Sequence, residues 1–177
     1  MKNESNGPNK ENGDNFENTK STDKNEELER FARELQEQIL EQARARYSEA
    51  VIDHWQNPRN FKRIENPDGY AKVKGSCGDT MEMFLKVKGG QVTGCGFQTD
   101  GCASSIVCGS VATELAGGRS IAQALAAVSA DAIFNELGGL PEADVHCTQL
   151  AAETMRLALS DCLSKKQSPW KKYYRKT

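Results

Sequence analysis

The chain has 177 residues, enough for one domain plus extensions, and a formal net charge of −2. That balance gives no broad basic field, so nucleic-acid binding is not expected. No apolar run approaches the roughly 18 residues needed to span a bilayer. The first residues show neither the apolar core of a secretory signal nor an Arg-rich, acid-poor presequence, so a cytoplasmic location without a membrane partner is expected.

Residues 1–27 read as a disordered polar tail. They contain one aromatic, Phe16, and Asn at 3, 6, 9, 12, 15 and 18, too little apolar surface to offset the entropy of ordering. Residues 28–45 read as an extra helix. Leu28, Phe31, Leu35 and Ile39 recur at helical spacing, with Glu26–Arg30 and Glu29–Arg33 placed for i,i+4 pairing. The stripe is thin, which predicts loose packing on the core or on a partner. "YSEAVIDHW" predicts a second helix with Tyr47, Val51 and Trp55 on one face, stopping before Asn57-Pro58. His54, within it, reads as a structural or exposed side chain.

The period then changes. Met81, Met83, Leu85 and Val87 alternate with Glu82, Phe84, Lys86 and Lys88, as in a strand. Lys88-Gly89-Gly90-Gln91 predicts a hairpin into "VTGCGFQT", and "GYAKVKG" is a shorter third strand. After Asp100-Gly101 the pattern turns helical. Val107, Val111 and Leu115 form one stripe closed by Gly117-Gly118, Ser120 with Gln123 fits a capping box, and Ser129 can cap a short helix through Leu137. "GGLPEAD" breaks the chain before a long helix marked by Ala151, Met155, Ala158 and Cys162. Strands first and helices after predict an α+β fold: a small three-stranded antiparallel sheet against several helices, the last one long.

Six cysteines, Cys77, Cys95, Cys102, Cys108, Cys147 and Cys162, point to metal or redox chemistry in a reducing compartment. Cys102 follows Asp-Gly at a helix start, and Cys147 stands near the start of the last helix with Asp144 as a possible N-cap. Unpaired N–H groups and positive potential there favour thiolate. Cys77 lies in a Ser-Cys-Gly turn, and if that turn stays extended Asp79 shares its side. With His146 the set is three thiols, a carboxylate and an imidazole. The spacings are not those of a local metal motif, so buried inert cysteines remain the competing reading.

Four segments in order, "YSEAVIDHWQNPRNF", "GSCGDTMEMFLKV", "GFQTDGCASSIVCGSVATELAGG" and "VHCTQLAAE", resemble the IscU/NifU-type iron–sulfur cluster assembly scaffolds over residues 46–164. The resemblance implies a SufE/NifU-like sheet packed on helices, with ligand-bearing loops at one end. It implies a non-enzymatic role: assembly of a [2Fe–2S] cluster from iron and desulfurase-derived persulfide sulfur, and its transfer to apo-proteins. It places the ligands on Cys77, Asp79, Cys102 and Cys147, with His146 as an alternate ligand or a donor to one, and Cys147 as persulfide acceptor. Carboxylate oxygen is a poorer match than thiolate for iron in a sulfide cluster, which would make Asp79 the weak corner. The implied partners are a cysteine desulfurase and apo iron–sulfur acceptors, with ferredoxin and an iron donor as further candidates.

Two features qualify the resemblance. An Hsp70-type chaperone reads a Leu-Pro-Pro-Val-Lys motif in part of this family, whereas this chain has Leu140-Pro141-Glu142-Ala143-Asp144, which weakens that expectation. Residues 165–177, "KKQSPWKKYYRKT", form a basic aromatic tail outside the matched region. The alternative reading is a zinc-dependent sulfur-transfer acceptor of the SufU type, with zinc on Cys77, Asp79, Cys102 and Cys147. The insertion that branch carries between its second and third cysteines is missing here, and it lacks the histidine that His146 supplies. A Cys–His hydrolase is disfavoured because adjacent His146 and Cys147 on a helix should point about 100° apart.

Overall fold

The computed structural model describes residues 16–167. Residues 1–15 and 168–177, which hold most of the Asn-rich stretch and of the basic aromatic tail, lie outside them. The described elements are α1 (Phe16–Arg44), α2 (Glu49–Gln56), β1 (Gly69–Lys74), β2 (Thr80–Lys88), β3 (Gln91–Thr99), α3 (Ala103–Ala116), α4 (Ile121–Ala127), α5 (Ala130–Glu136), a 3-10 turn (Glu142–Asp144) and α6 (Val145–Gln167). The chain divides into two compact units between Ala43 and Arg44.

The first unit is helical from Phe16, so residues 16–27 are part of α1 and not of a disordered tail. No Gly or Pro occurs between Gly13 and Pro58, and once a helix is nucleated each further residue adds a hydrogen bond without needing a core. The Glu29–Arg33 pair is formed at 3.7 Å. Leu28, Phe31, Leu35 and Ile39 are all exposed.

In the second unit Ser48 caps α2, its hydroxyl accepting from the Val51 N–H, which separates this helix from α1. The buried positions of α2 are Val51, Ile52 and His54, whereas Trp55 is exposed. The register follows from α3: His54 Nδ1 meets Ser110 Oγ at 2.8 Å, so the imidazole has a polar partner inside. The expected Tyr47–Val51–Trp55 face is replaced by this one.

The sheet is antiparallel in the order β1-β2-β3. Met83 faces Phe97 and Leu85 faces Cys95 across the β2–β3 pair, with a bulge between Lys86 and Val87. Met81, Met83, Leu85 and Phe97 are completely buried, and with Val107, Val111, Met155 and Leu159 they form the core under α3 and α6. Phe84, on the opposite face, is also buried. Tyr70 lies 5.3 Å from its ring and the Arg63 guanidinium 5.6 Å from it, so β1 and the segment before it cover a face that strict alternation would leave wet.

The capping box opening α4 is formed in both directions between Ser120 and Gln123, and Ser129 caps α5. The turn at Glu142–Asp144 runs directly into α6, whose buried residues Ala151, Met155, Ala158 and Cys162 are those the helical spacing marked.

Candidate metal centre

Three segments distant in sequence reach the same end of the sheet: the β1–β2 loop with Cys77 and Asp79, the β3–α3 junction with Cys102, and the start of α6 with His146 and Cys147. The β1–β2 loop is a tight turn and not extended. Gly75 N–H donates to the Asp79 carbonyl at 2.8 Å, and Gly78 adopts φ 96°, open to glycine at little cost. This curl, not strand alternation, carries the Asp79 carboxylate across to α3.

There Asp79 Oδ2 accepts from the Ser105 hydroxyl at 2.8 Å and from the Cys102 N–H at 3.3 Å. The Ser105 hydrogen bond is the main reason the Asp79 carboxyl sits below the usual carboxylate range. The Cys102 N–H, the Cys77 side chain and the charge of His146 add to it, against partial desolvation. Cys102 is the N-cap of α3, with extended backbone and no side-chain cap bond, so its sulfur remains available to other partners. Its Sγ lies 4.0 Å from Cys147 Sγ and 3.8 Å from Ser105 Oγ. Cys147 Sγ in turn is 3.5 Å from Ser105 Oγ and 3.5 Å from His146 Nε2.

Asp79, Cys102, His146 and Cys147 thus make one contact network, and Cys77 lies beside it, helping to hold the Asp79 carboxyl low. Cys77 and Cys102 are exposed, and Cys147 is buried beneath them. Among the described residues no group of three or more His, Cys, Asp or Glu side chains is already arranged to hold a metal ion. The donor types suit iron or zinc, but the side chains would have to turn toward a common point to bind either.

Two local expectations fail. Cys147 does not have the accessible, thiolate-favouring setting anticipated for it. Its relative exposure is 0% and burial pushes the thiol up to about 12, with the Ser105 hydrogen bond opposing and the neighbouring Cys102 and Cys77 adding to the rise. The helix start is also not free, because the Val145 N–H is bonded to the Glu142 carbonyl and the Asp144 carboxylate accepts from the Tyr47 hydroxyl at 3.1 Å. Nor do His146 and Cys147 point apart: the imidazole folds back to the sulfur in the first turn of the helix.

Cys95 and Cys108 stay outside the network as buried core thiols, their pKa values raised by desolvation. Cys162 is buried on α6. Ser105 was not singled out by sequence reasoning, although its spacing offered a signal. The third residue after an N-cap lies in the first turn on the N-cap's side, as in a capping box, so a polar residue three beyond Cys102 belongs to the same site.

The NifU-like N-terminal domain model matches residues 46–169. The chain is 45% identical over 120 residues to iron-sulfur cluster assembly scaffold protein IscU 1 of Archaeoglobus fulgidus, covering 67% of this chain and 78% of that protein. It is 39% identical over 127 residues to the IscU scaffold protein of Escherichia coli K12, covering 69% of this chain and 98% of that protein. A crystal structure described as a putative iron-sulfur cluster assembly scaffold protein for the SUF system, from Fervidobacterium islandicum AW-1, superposes with TM-score 0.53 at 25% identity, covering 64% of this chain and 96% of that one. The N-terminal part of a nitrogen-fixing NifU-like protein from Brucella abortus shares the fold, with TM-score 0.52 at 20% identity, covering 67% and 94%.

Proposed function

Because the chain belongs to the NifU-like N-terminal domain family, we propose that it is an iron–sulfur scaffold, building a [2Fe–2S] cluster as cargo and passing it to apo-proteins. The observation that carries this is the convergence of Asp79, Cys102 and Cys147 from three separated segments on one contact network, with Cys77 and His146 at its edge. The role is to hold and release, not to turn over a substrate. The cargo ligands are Cys77, Asp79, Cys102 and Cys147, with His146 in reserve.

Three thiolates and one carboxylate fit a cargo that must leave. Sulfide-bridged iron prefers sulfur ligands, so the oxygen corner is the one that exchanges. The hydrogen bonds to Asp79 Oδ2 lower its basicity further and make it a weaker donor.

Sulfur delivery is assigned to a cysteine desulfurase, with Cys147 as acceptor. A thiolate there would attack the outer sulfur of the donor's persulfide, forming a new S–S bond as the donor's thiolate leaves. Since Cys147 is buried, this step requires its surroundings, His146 among them, to give way. Cys102, exposed and 4.0 Å away, is the thiol a donor meets first. Apo iron–sulfur proteins receive the product, with ferredoxin and an iron donor as further partners, in a reducing cytoplasm that suits a chain with six cysteines. The zinc-dependent sulfur-transfer reading is not favoured, since the relatives at 39–45% identity are named as iron–sulfur scaffolds.

The test is anaerobic reconstitution with ferrous iron, cysteine and a cysteine desulfurase. Wild type should gain the visible and Mössbauer signature of a [2Fe–2S] cluster, and Cys102→Ser should not. A colourless wild type that instead retains stoichiometric zinc would overturn the proposal.

A further inference from the structure

We propose that Ser105 is a positioning residue for the metal centre, clasping the Asp79 carboxylate against Cys102 and Cys147 so that one carboxylate oxygen is held and the other is left to ligate. The inference rests on the ligand assignment above. Ser105 is completely buried in the first turn of α3, yet its hydroxyl touches three of the proposed ligands: Asp79 Oδ2 at 2.8 Å, Cys147 Sγ at 3.5 Å and Cys102 Sγ at 3.8 Å.

A hydroxyl has a single hydrogen and two lone pairs. The shortest of the three contacts, to a carboxylate that can only accept, takes the hydrogen. Asp79 Oδ2 also accepts from the Cys102 N–H. Both of these donors grip the same oxygen, which fixes the carboxylate plane, and Oδ1 has no part in either bond. Without the hydroxyl, the Cys102 N–H at 3.3 Å and the exposed Cys77 side chain would be left to hold the group, and a carboxylate in a loop could rotate away from the thiols.

The backbone is built for this contact. A Cβ at Gly101 would run into Asp79 Oδ2 and come within 2.7 Å of Ser105 Oγ, so glycine is required for the two side chains to meet. Ser105→Ala removes the clasp from the helix side, and Gly101→Ala wedges it open from the loop side.

The experiment uses cobalt(II) alone as the probe, with full-length reduced protein under anaerobic conditions. Thiolate-to-cobalt charge transfer and the d–d bands report the ligand set, and titration gives the affinity. Wild type should show the charge-transfer bands. Ser105→Ala and Gly101→Ala should each bind about 10-fold to 100-fold more weakly, the usual cost of losing a group that orients a ligand. Asp79→Ala should also weaken binding, and adding Ser105→Ala to it should change nothing further, because Ser105 acts through Asp79.

Wild-type affinity retained in both Ser105→Ala and Gly101→Ala would overturn the clasp, as would fully multiplicative losses in the Asp79→Ala/Ser105→Ala pair. Should Ser105→Ala lose its circular dichroism, Gly101→Ala decides alone. Absence of charge-transfer bands in wild type would instead sink the ligand assignment itself, which separates the two failures.

Discussion

Single residues here answer to burial as much as to chemical type. His54 illustrates this: it is enclosed between α2 and α3, and desolvation pulls its pKa below the ordinary 6.5, with Arg59 nearby adding to the fall and Glu114 opposing it. The folded protein therefore binds fewer protons than the unfolded chain between the folded pKa and 6.5, so stability is full above that window and is lost as pH falls through it. Urea unfolding of wild type should show a lower midpoint at pH 5.5 than at pH 7.5, and His54→Gln should flatten the difference. An equal slope in both would place the protonation elsewhere. Phe97, wholly buried with its ring tilted against Phe61 at 5.1 Å between centroids, makes a simpler case. Phe97→Ala should cost about 3–5 kcal/mol in equilibrium unfolding.

Elements were legible in the sequence wherever local signals agreed. The hairpin glycines, the strand alternation of Met81, Met83 and Leu85, and the Ser120–Gln123 box each specify their structure within a few residues, and each is found. Ser120→Ala should therefore cost about 1 kcal/mol in thermal or urea unfolding, the usual value of an N-cap. Failures came where a partner distant in sequence decides. Phe84 is buried because Tyr70 and Arg63 lie over it, and α2 turns His54 inward because Ser110 waits in α3. The site follows the same division. Cys77, Asp79, Cys102, His146 and Cys147 could be named from their motifs, but the burial of Cys147 and its contact with Ser105 depend on how α3 meets α6, and no local pattern encodes that packing.

At the scale of the whole molecule, the compact unit from Arg44 onward contains the sheet, the core and every candidate ligand, and the family model begins within it at residue 46. A variant starting at Arg44 should keep the unfolding midpoint and the cobalt spectrum of the full chain. A lowered midpoint would show that α1 contributes to the stability of the second unit. None of the helices among the described residues is long and apolar enough to cross a membrane. The exposed placement of Cys77 and Cys102 above a buried Cys147 suits a cargo received and surrendered at the surface.

The proposed scaffold depends most on the oxygen corner at Asp79, and Asp79→Cys tests it most directly. With four thiolates in place the cluster should still assemble, but its transfer to apo-ferredoxin, followed by circular dichroism, should be markedly slower than from wild type. Transfer at the wild-type rate or faster would contradict the assignment of Asp79 as the ligand that lets the cluster go.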